Sequence, residues 1–296
     1  MYDRINSLYE GVGMRGSSNA PKIVHSNKNL LDNWDFTNPV NQRGQSSYSS
    51  IGYGIDRWRN VYNGAAMQIV NGGVKVASNG VKYTGMLQIV PIKNVKAGDS
   101  YTLSGLFKSI TDGWYVELYL YDNNEIVAGV TSADKNYNGS DVLVSSTLII
   151  PNRTFGENLQ MHVHIYNQTT NQNSCIISAA KLELGEVSTL KNDALGVSYA
   201  EELRKCQRYL VNVGKFRVAG NLKATNGFAV HPIWFPCEMR EKPAIYKSET
   251  LASENVSAEV FDVQSKNSAT LYIKNNAAYD VHYDCGILYA MFSAEL

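Results

Sequence analysis

The chain has 296 residues, which is enough for two domains or for one large β-sandwich. Its 27 Lys and Arg residues balance its 27 Asp and Glu residues, and this argues against nucleic acid as the main partner, because phosphate binding needs a basic surplus. No stretch approaches the length of a membrane span, and the first residues lack the apolar core of a signal peptide, so membrane insertion is not expected.

The surface chemistry implied by the composition is polar but weakly charged. Charged residues make up 18% of the chain, and Tyr occurs 19 times. Such a surface suits hydrogen bonding and stacking with neutral polar ligands. It equally suits a β protein that buries its faces against sister chains, and composition leaves both interpretations open.

The four cysteines, Cys175, Cys206, Cys237 and Cys285, are widely and irregularly spaced. No C-x-x-C pair indicates a zinc site. They are interpreted as reduced, partly buried thiols of a protein made in a reducing cytosol.

In chain order, residues 1–27 are polar and irregular and are predicted to be an attachment segment or linker. Residues 28–190 alternate short apolar runs with Gly, Asn and Asp turns. The predicted strands are 65–70, 74–78, 85–92, 100–109, 114–122, 125–131, 141–150, 159–167 and 175–184. No helical pattern separates these strands, so the spacing favours an antiparallel sandwich of the jelly-roll type over a βαβ fold.

Residues 191–210 are predicted to form a linker with one short helix. Ser198 can cap this helix with Glu201 as its capping-box partner, and Leu203, Cys206 and Leu210 follow at helical spacing. These three side chains are expected to face the adjoining domain or partner chains near a three-fold axis. Strand patterns resume over 206–296, at 207–220, 227–235, 257–264, 269–275 and 286–296. The predicted fold is therefore all-β, an N-terminal β-sandwich (jelly roll) joined by a short helix to a smaller C-terminal β-sandwich.

Two of the predicted strands separate an apolar face from a polar, aromatic one, because side chains alternate along a strand. The apolar, inward set is Trp114, Val116, Leu118, Leu120, Met161, Val163 and Ile165. The outward set is Tyr115, Glu117, Tyr119, Tyr121, His162, His164 and Tyr166. Gln68, between Met67 and Ile69, and Gln88, between Leu87 and Ile89, are assigned to the same outward face.

This mixture of aromatic, amide and carboxylate groups is typical of surfaces that bind sugars, with rings under the apolar sugar faces and polar groups on the hydroxyls. The sequence therefore predicts a candidate glycan face. The alternative is that the face packs against a neighbouring subunit or consists of ordinary exposed tyrosines.

Metal and catalytic chemistry have little support in the sequence. His162 and His164 lie about 7 Å apart on one strand face and could share a metal, but a further ligand is missing, so surface or interface histidines are favoured. Glycoside cleavage needs two carboxyl groups, and Glu117 is the single one placed on the face. We predict no catalytic residue, no metal and no cofactor, hence no enzyme, with a glycan depolymerase as the less favoured alternative.

Two tryptophans and one charged corner are assigned structural roles. Trp58 and Trp234 sit among apolar neighbours and are expected in the core. Asp56-Arg57-Trp58 is interpreted as a corner of the chain held by an ion pair and by packing. The alternative is that it forms part of a structural cation site.

Three stretches resemble tail-fibre and receptor-binding proteins of phages and prophages of Gram-positive bacteria. The first is NLLDN (29–33), NPVNQRG (38–44) and IDRW (55–58). The second is AKLELG (180–185), YAEEL (199–203) and KCQRY (205–209), and the third is MREKP (239–243) with FSAEL (292–296). The chain departs from longer relatives, which carry a shaft before the position of Asn29, so it is expected to be a short fibre or a C-terminal fragment.

The resemblance implies a homotrimeric protein at the tail tip of a virion or phage-tail-like particle, made in the bacterial cytoplasm. Its first domain would be similar to a carbohydrate-binding jelly roll and its second to the small β domain at the tip of such fibres. It would bind a bacterial cell-surface glycan or surface protein, and other tail or baseplate proteins through its N-terminus. A structural or adaptor tail protein is the alternative, and the family pattern supplies no catalytic residues.

Overall fold

The computed structural model describes residues 26–61, 65–133, 141–193, 196–224 and 227–295. Within these ranges the chain is almost entirely β, with one α-helix, which confirms the predicted all-β class. The predicted N-terminal attachment segment lies almost wholly outside them. No helix in the described part of the chain is both long and apolar enough to cross a membrane.

In its described residues the first domain has twelve strands, which form two antiparallel sheets of six strands each. In chain order, β1 to β12 are Ser47–Tyr48, Gly52–Tyr53, Arg59–Val61, Ala65–Val70, Gly73–Asn79, Thr84–Pro91, Ser100–Ser109, Trp114–Asp122, Glu125–Thr131, Val142–Ile149, Leu159–Asn167 and Gln172–Leu184. The first sheet has the order β1-β4-β5-β12-β7-β10 and the second has the order β2-β3-β6-β11-β8-β9. Neighbours that are distant in sequence, such as β12 between β5 and β7, are characteristic of jelly-roll sandwiches.

The two sheets enclose the larger hydrophobic core. The predicted inward residues of β8 and β11 are all buried, and they pack with side chains of the opposite sheet such as Met67 and Leu103. Trp58 is fully buried in this core, as predicted. The alternation along each strand is therefore what separates the core from the outer faces.

The described part of the second domain contains seven strands. In chain order, β13 to β19 are Leu210–Asn212, Phe216–Leu222, Phe228–Trp234, Ala244–Leu251, Val256–Val263, Ser268–Asn275 and Val281–Ser293. β19 pairs with β13, β14 and β16, and β18 pairs with β15 and β17. A second hydrophobic cluster lies in this domain, with Leu271, Ile273 and Ile287 fully buried.

Two features of the second domain differ from the sequence predictions. No strand is predicted at 244–251, but β16 forms there with almost every residue exposed, so it lacks the alternation that marks a half-buried strand. The prediction that Trp234 lies in the core is wrong, because its side chain is 71% exposed. Its strand instead buries Ile233.

The helix α1 spans Tyr199–Gln207 and begins at Ser198 as predicted, where the Ser198 hydroxyl accepts a hydrogen bond from the Glu201 backbone N–H at 3.4 Å. Glu202 and Cys206 are buried, and the Glu202 carboxylate accepts a 2.7 Å hydrogen bond from the backbone N–H of Asn33. The helix therefore packs on the first domain. Leu203 is half-buried, and Leu210 belongs to β13.

The segment after β12 is held by a buried lysine. Lys181 Nζ lies 2.8 Å from the Asp193 carboxylate and 3.7 Å from that of Glu183, and it donates to the Thr189 hydroxyl at 2.8 Å. Lys181 and Glu183 are inaccessible to solvent. Because each charge is paired and hydrogen-bonded, the cluster fixes the path of the chain as it leaves the sandwich.

The residues of the predicted corner meet the second domain. Asp56 accepts a hydrogen bond from Gln42 Nε2 at 2.6 Å and lies 3.6 Å from Arg43. Arg43 also pairs with Glu295 of the second domain. Gln42 Nε2 also donates to the Leu210 carbonyl at 2.7 Å. Burial raises the pKa of Asp56 to about 7, against the opposing effects of Gln42 and Arg43. Asp56 and Arg57 each take part in an ion pair, with Arg43 and Asp32 respectively, which agrees with the predicted ion-pair corner. Within the described ranges there is no group of three or more His, Cys, Asp or Glu that could hold a metal.

Replacing Lys181 with Met should destabilise the first domain strongly. The change leaves the buried Glu183 carboxylate without its cation, and removing one partner of a buried ion pair costs about 3–5 kcal/mol of unfolding free energy. Urea unfolding followed by tryptophan fluorescence measures it, because Trp34, Trp58 and Trp114 lie in this domain.

Lys108→Met is the matched control, since Lys108 pairs with Asp141 on the exposed surface. Its expected cost is below about 1 kcal/mol. Equal losses for the two variants would contradict a stabilising role for the Lys181 cluster.

Candidate functional site

Strands β8 and β11 are neighbours in the second sheet and bring seven predicted site residues onto one surface. In their register His164 lies opposite Glu117, His162 opposite Tyr119, and Tyr166 opposite Tyr115. Directly opposed residues project to the same side of an antiparallel pair. We call this surface the Tyr/His face; it consists of Tyr115, Glu117, Tyr119, Tyr121, His162, His164 and Tyr166.

The two glutamines do not belong to the Tyr/His face. Gln88 lies opposite Val163, so it points inward; it is fully buried, and its amide bonds both backbone groups of Asp32 at 2.8 and 2.9 Å. Leu87 and Ile89 point outward instead. The prediction is wrong because two backbone hydrogen bonds satisfy this amide inside the protein. Gln68 is exposed but lies on β4, in the opposite sheet.

Glu117 is a buried carboxylate held by its neighbours. It accepts hydrogen bonds from the Thr131 hydroxyl at 2.6 Å, from Gln168 Nε2 at 2.7 Å and from the Tyr166 hydroxyl. Burial, followed by the hydrogen bond to Glu117, raises the pKa of Tyr166 above its ordinary value. Glu117 is therefore an anchor for the rings around it, with little accepting capacity left for a ligand.

The two histidines are neutral at physiological pH. Burial and the nearby Arg59 cation lower the pKa of His162 to about 4. Burial, together with His162 and Arg59, lowers the pKa of His164 to about 3. Both ring nitrogens of His164 are buried without a hydrogen-bond partner among the described residues, so the histidine pair contributes neutral aromatic surface.

The rings of the face contact one another as a continuous layer. Tyr121 stacks on His162 with 3.8 Å between ring centroids, and His164 meets Tyr119 and Tyr166 edge to face at 5.7 and 5.5 Å. Gly129, opposite Tyr119 on β9, leaves room for the Tyr119 ring, since a Cβ there would approach the ring to 2.4 Å. The layer is a preorganised aromatic platform in which Tyr166 is buried and the other four rings are partly exposed.

Arg59 also belongs to this region, although it was not predicted from the sequence. This residue lies on β3 opposite Leu87, in the same cross-strand row as His164 and Glu117. It forms no ion pair with any residue in the described ranges. β3 has only three residues, too few for periodicity to reveal which way Arg59 points.

The Tyr/His face presents groups that can contact a polar ligand. Stacked rings offer apolar contact, and tyrosine hydroxyls, His162 and Arg59 offer polar contact at the margin. Hydrolysis of a glycoside would need a second carboxyl group beside Glu117, and no other carboxylate is part of the face within the described strands.

Comparisons with known proteins establish no family. No family model matches the chain, and no curated protein matches it. Among solved structures it is similar to the enzymatically active domain of tailspike protein 4 from bacteriophage CBA120, with 9% identity and a TM-score of 0.30 over 53% of this chain and 21% of that chain. It is also similar to discoidin II from Dictyostelium discoideum, with 13% identity and a TM-score of 0.20 over 71% of this chain and 78% of that chain. A Stig cyclase from Fischerella sp. TAU is similar with 10% identity and a TM-score of 0.29 over 45% of this chain and 77% of that chain.

Scores this low provide no residue correspondence, and the chain spans 21% of the tailspike domain's length.

The low pKa values of His162 and His164 predict a loss of stability in mild acid. In the unfolded chain both imidazoles bind a proton as the pH falls below their ordinary pKa of 6.5, whereas in the folded chain they stay neutral until about pH 4 or lower. The unfolding free energy therefore falls as the pH falls from about 6.5 to about 4. A His162→Gln, His164→Gln variant should lose less stability than the wild type between about pH 7 and about pH 5.

Chemical denaturation at both pH values measures this difference, and His282→Gln, which changes an exposed histidine of the second domain, is the control. Parallel pH dependences for the wild type and the double variant would show that the face does not hold its imidazoles neutral.

Proposed function

We propose that this protein is a receptor-binding protein of a phage tail or phage-tail-like particle, which attaches the particle to a bacterial surface glycan through the Tyr/His face. The observation that carries the proposal is the preorganised layer of tyrosine and neutral imidazole rings on β8 and β11. Such a layer can stack against the apolar faces of sugar rings, while hydroxyl and imidazole groups at its margin reach sugar hydroxyls. The sequence resemblance to tail-fibre proteins supports the same role.

The proposed role is adhesion without catalysis. The carboxylate of the face is engaged by three donors and has no acidic partner within the described strands. A shallow site of this kind binds weakly, and it becomes effective when several copies act together.

Assembly into a homotrimer at the virion tail tip belongs to the proposal. An apolar strip on β15 supports it: Phe228, Val230, Pro232 and Trp234 alternate onto one side of the strand and are all exposed. β15 is at the edge of its sheet, where it pairs with β18 alone among the described strands. Contact between copies of the chain would remove this strip from water. The N-terminal segment would attach to other tail or baseplate proteins.

Removing two rings should weaken glycan binding. The Tyr119→Ala, Tyr121→Ala variant loses the partly exposed rings that contact His164 and His162, and its affinity for purified cell-wall glycan should fall by about tenfold or more, equivalent to 1.4 kcal/mol. A glycan array or a cell-wall pull-down measures the change, with circular dichroism as the check on folding.

Gln68→Ala is the control, because Gln68 is exposed on the opposite sheet and its replacement should leave binding unchanged. Wild-type affinity in the folded double variant would exclude the Tyr/His face as the glycan site.

Polar replacement of the β15 strip should lower the mass of the assembly. Phe228 and Trp234 are 61% and 71% exposed, so Phe228→Ser with Trp234→Ser removes apolar surface at little cost to the fold of the single chain. Light scattering after size-exclusion chromatography should show trimer for the wild type and smaller species for the variant.

Val187→Ser, at an exposed apolar residue after the last strand of the first domain, is the matched control and should remain trimeric. A wild-type monomer, or a trimer that persists in the double variant, would refute assembly through this strip.

A further inference from the structure

A cavity of about 580 Å³ lies where the two domains meet, away from the Tyr/His face. Tyr48 and Tyr53 of the first domain line one side, and Tyr246 and Met291 of the second domain line the other. Its volume is within the range of small-molecule sites, which occur preferentially at domain interfaces.

The floor of the cavity is the ion pair between Arg43 and Glu295, whose side chains are 6% and 2% exposed. Each retains one buried atom, Arg43 Nε and Glu295 Oε1, without a hydrogen-bond partner among the described residues. Unsatisfied buried polar atoms cost about 1–3 kcal/mol each. A ligand hydroxyl, which both donates and accepts, matches the chemistry of this donor and acceptor, and it reaches these two buried atoms only if the ion pair moves.

The walls are aromatic. The rings of Tyr53 and Tyr246 lie on the Arg43 guanidinium, each with its centroid 5.5 Å from Arg43 Cζ. Tyr246 sits at a β-bulge, where the register between β16 and β19 shifts between Ile245 and Lys247. Bulges turn side chains out of their regular alternation, and this one places Tyr246 in the cavity wall.

The rim carries a cation. Lys247 is exposed, its Nζ lies 5.1 Å from the centroid of the Tyr289 ring, and it forms no ion pair with any residue that the structure describes. The charged lining side chains are Arg43, Lys247 and Glu295. Arg43 is already paired with Glu295 and Asp56, so Lys247 is the lining charge left to attract an anionic ligand.

We propose that this junction cavity is a second binding site, which takes one ring of an acidic saccharide. The two tyrosines hold the apolar face of the sugar, the Arg43–Glu295 pair receives its hydroxyls, and Lys247 receives its carboxylate or phosphate. The site extends the proposed adhesive function but does not require the Tyr/His face.

Saturation-transfer NMR on the full chain tests the proposal with three probes at millimolar concentration: glucuronate, glucose 1-phosphate and glucose. We expect at least one of the two anionic probes to bind more tightly than glucose. Whichever of glucuronate and glucose 1-phosphate binds more tightly shows whether the site prefers a carboxylate or a phosphate. Tyr246→Ala should weaken binding of every probe by about tenfold or more. Lys247→Gln should reduce the affinity of the anionic probe to that of glucose.

Tyr279→Ala is the control, because Tyr279 is also exposed in the second domain but lies outside the cavity, and it should bind as the wild type does. Absence of binding by all three probes, equal binding of the anionic probes and glucose, or unchanged binding in folded Tyr246→Ala would overturn the proposal.

The Tyr119→Ala, Tyr121→Ala variant separates the two sites. If it retains the monosaccharides but loses the cell-wall glycan, both sites stand. If this variant no longer binds the monosaccharides while Tyr246→Ala still binds them, the monosaccharides bind on the Tyr/His face. That outcome would overturn the cavity proposal and leave the Tyr/His face as the glycan site.

Discussion

The buried contact of Arg43 with Asp56 and Glu295 determines how the two domains meet, and much of the remaining structure depends on it. Burying three charged groups is unfavourable unless each is paired and hydrogen-bonded, and here Gln42 supplies further bonds to Asp56 and to the Leu210 carbonyl. These contacts hold the start of the second domain against the loop before β1. The position of β16 beside β2, and hence the tyrosine walls of the cavity between them, follows from this arrangement.

The Tyr/His face is organised on a different principle, because its central carboxylate is buried and engaged by the protein while its accessible surface is mainly aromatic. Glu117 has all its strong donors within the protein, and the imidazoles are kept neutral by burial and by Arg59. A surface of this kind gains little from long-range attraction and depends on contact area, so affinity for a repetitive polymer would come from simultaneous engagement of several copies. The cavity, whose rim carries a lysine with no ion pair among the described residues, is the more electrostatic of the two sites.

Hydrophobic periodicity alone was sufficient to predict the fold class and most of the long strands. On β8 and β11 the buried apolar residues alternate strictly with polar or aromatic ones, as at Val116, Leu118 and Leu120 and at Val163 and Ile165. Periodicity failed where another constraint decided the orientation. Gln88 points inward because Asp32 satisfies its amide, and β16 has no buried face to produce a pattern. The cavity could not be found from sequence, because Arg43, Tyr53, Tyr246 and Glu295 come from four separate segments and meet through tertiary packing and a bulge.

The position of β12 and β19 within their sheets has a consequence for biosynthesis. β12 pairs with both β5 and β7, and β19 with β13, β14 and β16, yet each is the last strand of its domain to be translated. Until Gln172–Leu184 leaves the ribosome, β5 and β7 have no partner between them, and the same holds for β14 and β16 until Val281–Ser293 is made. One sheet of each domain is therefore completed in a late step, and the nascent chain must keep its unpaired strand edges from associating with other chains until that step.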